Sequence, residues 1–131
     1  MNQYLLSTYS VDGDVSGGPA TPEEMQAFME RVIALEAEMD EGGAFVFGGA
    51  LDGPDAATVV DTSDGEVTTT EGPFAAARER IAGFYIINAE DLDAAIVWAG
   101  KTAVATNHSI EVRPFRATGR VADHVRKMSE G

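Results

Sequence analysis

The sequence predicts a single α+β domain in which two helices cover one face of an antiparallel sheet, with a β-hairpin inserted midway. Three observations carry this. Apolar residues switch between alternation and helical spacing in the order strand, helix, strand, hairpin, strand, helix, strand. Strong helix starts and turn signals punctuate those segments. The length, 131 residues, fits one domain with its own core. Residues 1–116 form that domain, and the polar residues 117–131 read as a tail or a short helix.

Gln3 to Tyr9 is short, apolar and aromatic, a strand pattern. Asp12 to Pro19, rich in Gly, Asp and Ser, reads as an exposed loop. Thr21-Pro22-Glu23-Glu24 starts a helix: Thr21 caps it, Pro22 suits the first helical position, and Glu24 closes a capping box. Met25, Phe28, Met29, Val32, Leu35 and Met39 follow as one apolar stripe, read as core. Gly42-Gly43 ends the helix.

Ala44 to Leu51 reads as a strand whose Gly48 and Gly49 predict a bulge or a close backbone approach. Ala57 to Asp61 and Glu66 to Thr70 flank Asp64-Gly65, a hairpin turn signal. Ile81 to Ile87 is the most apolar strand. Asn88 is placed to cap a second helix, with Leu92, Ala95, Ile96 and Ala99 as its buried stripe and Gly100 as its stop. Ser109 to Phe115 alternates as a final strand.

The resulting βαββαβ order, with the hairpin inserted, is that of a ferredoxin-like fold. It leaves one sheet face without a helix. On the last strand Ile110 and Val112 point one way, Glu111 and Arg113 the other; Gly83, Tyr85 and Ile87 share one face of theirs. A bare sheet face of this kind favours pairing of two sheets in a homodimer, which encloses a cleft.

The formal charge of −13, from 22 acidic and 9 basic residues, repels phosphate backbones and anionic membranes, so nucleic acid is not an expected partner. The absence of cysteine excludes a disulfide framework, a thiolate metal site and a cysteine nucleophile. The first residues lack the basic and apolar regions of a signal peptide, and no apolar run reaches the ~20 residues a membrane span requires, so the expected location is the cytoplasm. No second ligand is spaced beside His108 or His124, and no metal or cofactor is expected.

Glu71-Gly72-Pro73-Phe74 resembles the DGPF signature of the YCII-related domain family. The strand Arg80-Ile81-Ala82-Gly83-Phe84-Tyr85-Ile86-Ile87, the segment Asp91-Leu92-Asp93-Ala94-Ala95 with Trp98-Ala99, and Ser109-Ile110-Glu111-Val112-Arg113-Pro114-Phe115 are similar to the elements that follow in that family. Tyr4-Leu5-Leu6 and Thr21-Pro22-Glu23-Glu24 match before it, so the resemblance covers residues 3–116. It implies a ferredoxin-like fold, a dimeric αβ-barrel and no settled activity. One branch of the family is dehydrochlorinase-like. Another is proposed to use a His–Asp pair with its His on the first helix, and the resemblance puts Arg31 near that histidine. Glu71 stands in place of the usual Asp of the signature.

Several residues are candidates for chemistry. Beside the Glu71–Phe74 turn, Arg78 would bind an anionic ligand with Glu79 as base or orienter; Arg78, Glu79 and Arg80 also read as a plain solvated charge run. Glu71 and Phe74 would shape the mouth of the cleft, or only rigidify a turn and plug the core. A histidine can act near neutral pH as acid or base, so His108 is a candidate for that role, or it stands as an exposed loop residue. Glu111 and Arg113, two apart on one strand, give an acid–base pair or an interface ion pair. Tyr85, like Tyr4 and Tyr9, either reaches the cleft or packs in the core. The expectation is a homodimer binding a small organic molecule in a cleft at its interface. The alternatives are a cofactor-free lyase or isomerase using carboxylate or His acid–base chemistry, and a structural dimer without ligand.

Overall fold

A computed structural model describes residues 2–11, 21–72 and 79–130. Strand β1 (Asn2–Val11) leads to helix α1 (Pro22–Glu41) and strand β2 (Phe45–Ala50). A single 3₁₀ turn at Pro54–Ala56 precedes the hairpin β3 (Thr58–Ser63) and β4 (Glu66–Glu71). Strand β5 (Glu79–Ala89), helix α2 (Leu92–Thr106), strand β6 (Ser109–Pro114) and helix α3 (Val121–Glu130) complete the chain. The antiparallel sheet has the order β2-β5-β1-β6, the ferredoxin-like topology, and β3–β4 form a separate two-stranded sheet.

The termini follow the local chemistry. Thr21 accepts a hydrogen bond from the Glu24 amide and Pro22 opens α1, so the cap is as the sequence predicts. Gly42 caps its end and Gly43 turns the chain away at φ +70°. Asp64 (φ 51°) and Gly65 (φ 82°) give the two-residue loop of a tight hairpin.

The second helix departs from expectation at both ends. Its cap is Asp91, whose side chain accepts from the Ala94 amide. Asn88 stays within β5, where its side chain accepts from Gln3 and donates to the Gly43 carbonyl. Gly100 does not stop the helix. It sits on the exposed side, and α2 runs on until Asn107 adopts the left-handed conformation. The cost of one exposed glycine, about 1 kcal/mol, is offset by the packing of Thr102 and Ala105 beyond it.

The core lies between the sheet and the two helices. Directly opposed residues on neighbouring strands share a face, and the register builds rows across the sheet. Val112, Leu6 and Tyr85 form one helix-facing row, and Pro114, Tyr4 and Ile87 form the next. Leu6, Ile87 and Met39 are fully buried. On α2 the buried stripe is Ala95, Ala99, Thr102 and Ala105, small side chains that let the helix lie close to the strands, while Leu92 and Ile96 are exposed. The buried Thr102 hydroxyl donates to the Trp98 carbonyl within the helix.

Along α1 only Leu35 and Met39 are buried. Phe28 and Val32 are half-buried and Met25 and Met29 exposed, so the N-terminal half of the stripe expected to be core stands off the sheet. The opposite face of the sheet carries the rows Arg113–Leu5–Ile86–Phe47 and Glu111–Ser7–Phe84–Gly49, with no helix upon it. Gly83, Tyr85 and Ile87 do share a face, but it is the helix-covered one, because they pair opposite Thr8, Leu6 and Tyr4.

Candidate functional site

Because the N-terminal half of α1 does not reach the sheet, a cavity of about 510 Å³ opens beneath it. Phe28, Val32 and Glu36 roof it, one residue per turn along α1. Phe45 and Gly48 of β2, Gly83 and Tyr85 of β5, and Thr8 of β1 form its floor. Thr106 and His108, from the turn between α2 and β6, close one side.

Two glycines make the floor possible. A Cβ on Gly48 would stand 2.6 Å from the Tyr85 ring, so only glycine lets that ring lie against β2. A Cβ on Gly83 would stand 2.8 Å from the Gly49 carbonyl oxygen. The glycines of β2 therefore serve a close approach, and a register irregularity between Phe45 and Phe47 accompanies it, as the sequence predicts.

The polar centre of the cavity is a tyrosine–carboxylate pair. The Tyr85 hydroxyl donates to Glu36 Oε2 at 2.5 Å. Burial, then the hydrogen bond to Glu36, then the carboxylate's negative charge hold the Tyr85 phenol protonated well above its ordinary range. Tyr85 is 8% exposed and packs edge-on against Phe45, with ring centroids 6.2 Å apart. His108 is half-buried on the wall of the same cavity.

Of the residues marked out in the sequence, the structure brings Tyr85 and His108 together. Glu111 and Arg113 share a face, as their spacing requires, but it is the face turned away from the helices; both are exposed, and no ion pair joins them among the described residues. Glu71 ends β4, exposed and paired with Thr58 in the hairpin. Glu79 begins β5 opposite Val11. Phe74, Arg78 and the Glu79 side chain lie outside the described residues. Among the described residues no cluster of three metal-ligating side chains occurs, and no helix is long and apolar enough to cross a membrane.

Sequence reasoning missed Glu36. Its signal was the spacing Phe28, Val32, Glu36, which puts a carboxylate in line with the apolar stripe. Arg31, on the same helix, has a structural role. Its Nε donates to the Ala105 carbonyl at 3.1 Å, tying α1 to the C-terminal end of α2 where a cation is favoured.

The fold and cavity define a small ferredoxin-like α+β domain with a partly open, mainly apolar pocket lined, among the described residues, by one carboxylate. The YCII-related domain model matches residues 3–117, and the chain belongs to that family. An uncharacterised protein of Rhizobium meliloti (strain 1021) is 33% identical over 95 residues, covering 71% of this chain and 77% of that protein.

Proposed function

We propose that the protein binds a small, largely apolar organic molecule in the cavity between α1 and the sheet, with Glu36, Tyr85 and His108 as its polar contacts. The observation that carries this reading is the cavity itself. It combines apolar walls, a few convergent polar groups and a strongly perturbed tyrosine, the usual composition of a small-molecule site. This site lies on the helix side of the sheet, and Glu111 and Arg113 would serve elsewhere, at the rim of a dimer interface. A thermal-shift screen against small apolar compounds tests the reading. A ligand at about 100 times its Kd adds about 2.7 kcal/mol of stability. Val32→Phe, which fills the roof, should abolish that gain. Stabilisation that survives Val32→Phe would place binding elsewhere.

The same reading includes a homodimer through the helix-free sheet face. Leu5, Phe47, Phe84 and Ile86 make that face apolar, with Phe47 57% exposed and its ring 6.0 Å from that of Phe84. A second copy would cover it, with Glu111 and Arg113 pairing across the rim. Sedimentation at micromolar concentration should show a dimer that Leu5→Glu converts to monomer; a wild-type monomer would refute it.

An acid–base enzyme is the second reading, favoured by the Glu36–Tyr85 contact beside His108. In an isomerisation Glu36 would take a proton from one substrate carbon while a protonated His108 gave one to another; after release, Glu36 would lose its proton to water and His108 would regain one from water, which restores the starting state. Turnover lost in both Glu36→Gln and His108→Gln would support it; turnover intact in both would refute it.

A further inference from the structure

We infer that the cavity selects a cationic ligand, a primary amine carried on an aromatic or branched apolar body. The inference rests on the cavity being the binding site. Glu36 is the one acidic side chain among the described residues lining it, and no lysine or arginine lines it there. A carboxylate has about four acceptor positions, and the Tyr85 hydroxyl occupies one at 2.5 Å. Tyr85 supplies a proton to that hydrogen bond but no positive charge, and no cationic side chain among the described residues is paired with the carboxylate. The nearest guanidinium along α1, Arg31, is held by the Ala105 carbonyl and does not line the cavity.

In a partly desolvated space this charge decides sign. An anionic ligand would meet repulsion that water screens poorly. An ammonium would gain charge-assisted hydrogen bonds to Glu36. The walls act in the same direction: Phe28 and Phe45 contribute aromatic side chains to the cavity lining, and the negative faces of such rings attract cations. The net charge of −13 draws cations toward the protein as a whole.

Three probes of nearly equal shape test this: 2-phenylethylamine, 2-phenylethanol and 3-phenylpropanoate, titrated calorimetrically into the full-length protein at slightly alkaline pH and physiological salt. The amine should bind roughly tenfold tighter than the alcohol, and the carboxylate weakest of the three. Glu36→Gln should bring the amine down to the level of the alcohol. Equal binding of all three, or an amine preference that survives in Glu36→Gln, overturns the inference and leaves the cavity reading standing. Binding of none overturns both. Should Glu36→Gln fail to fold, the order of the three probes on the wild-type protein decides alone: a carboxylate or alcohol bound as tightly as the amine refutes it.

Discussion

Replacing Tyr85 by Phe removes one oxygen and keeps the ring that packs against Gly48 and Phe45. The lost interaction is the hydrogen bond from the phenol to Glu36 at 2.5 Å. Hydrogen bonds to charged groups contribute about 1.5–3 kcal/mol. Glu36 is only half-buried, so water can replace the lost donor, and a cost near about 1–2 kcal/mol is expected for Tyr85→Phe. The pH dependence is more diagnostic. The folded-state pKa of Tyr85 lies above the unfolded value of 10.0. The unfolded chain therefore gives up this proton first as pH rises. The contribution is fully present below about pH 10 and is lost above it, with a slope of up to about 1.4 kcal/mol per pH unit. Urea unfolding of wild type and Tyr85→Phe at matched pH values isolates the effect. The wild-type excess stability should shrink above pH 10 relative to its value at neutral pH. Equal stability at neutral pH, or parallel alkaline limbs, would refute the account of Tyr85 as a buried proton donor to Glu36.

Gly48→Ala should destabilise by about 1–3 kcal/mol through the clash with the Tyr85 ring, and should weaken ligand binding by displacing that ring; denaturant melts and the probe titrations read both. Met39→Ala, at a fully buried position, should cost about 2–5 kcal/mol by equilibrium unfolding, whereas the same change at the exposed Met29 should cost far less. Lys101 approaches Glu38 at 2.6 Å, but both side chains are about half exposed. Lys101→Ala should shift stability by less than about 1 kcal/mol, and a larger loss would point to its position over the Trp98 ring.

Much of the fold was legible because local chemistry and global topology agree. Thr21, Pro22 and Glu24 specify where α1 begins, and Asp64-Gly65 where the hairpin turns, whatever the rest of the chain does. The order of periodic segments was enough for the ferredoxin-like topology. The illegible parts were decided by tertiary packing. Asn88 is a good cap by type, yet the strand register and its bonds to Gln3 and Gly43 hold it in β5. Gly100 is a good stop by type, yet the buried face beyond it carries α2 onward. At the candidate site, Tyr85 and His108 were visible as residue types, but which sheet face each served depended on cross-strand pairing. Glu36 escaped notice because a carboxylate on an apolar stripe reads as a lapse in the pattern, until the cavity beneath it is seen.

The unequal seating of the two helices has a mechanical consequence. α2 is pressed onto the sheet by four small buried side chains along its length, whereas the buried side chains of α1, Leu35 and Met39, both lie in its C-terminal half. The fold thus has a rigid jaw and a compliant one, hinged near Leu35. Opening the first turns of α1 exposes little buried apolar surface, so backbone amides there should exchange with deuterium well before those of α2. A molecule seated against Glu36 would lie beneath that jaw, so its binding should slow exchange in the first turns of α1.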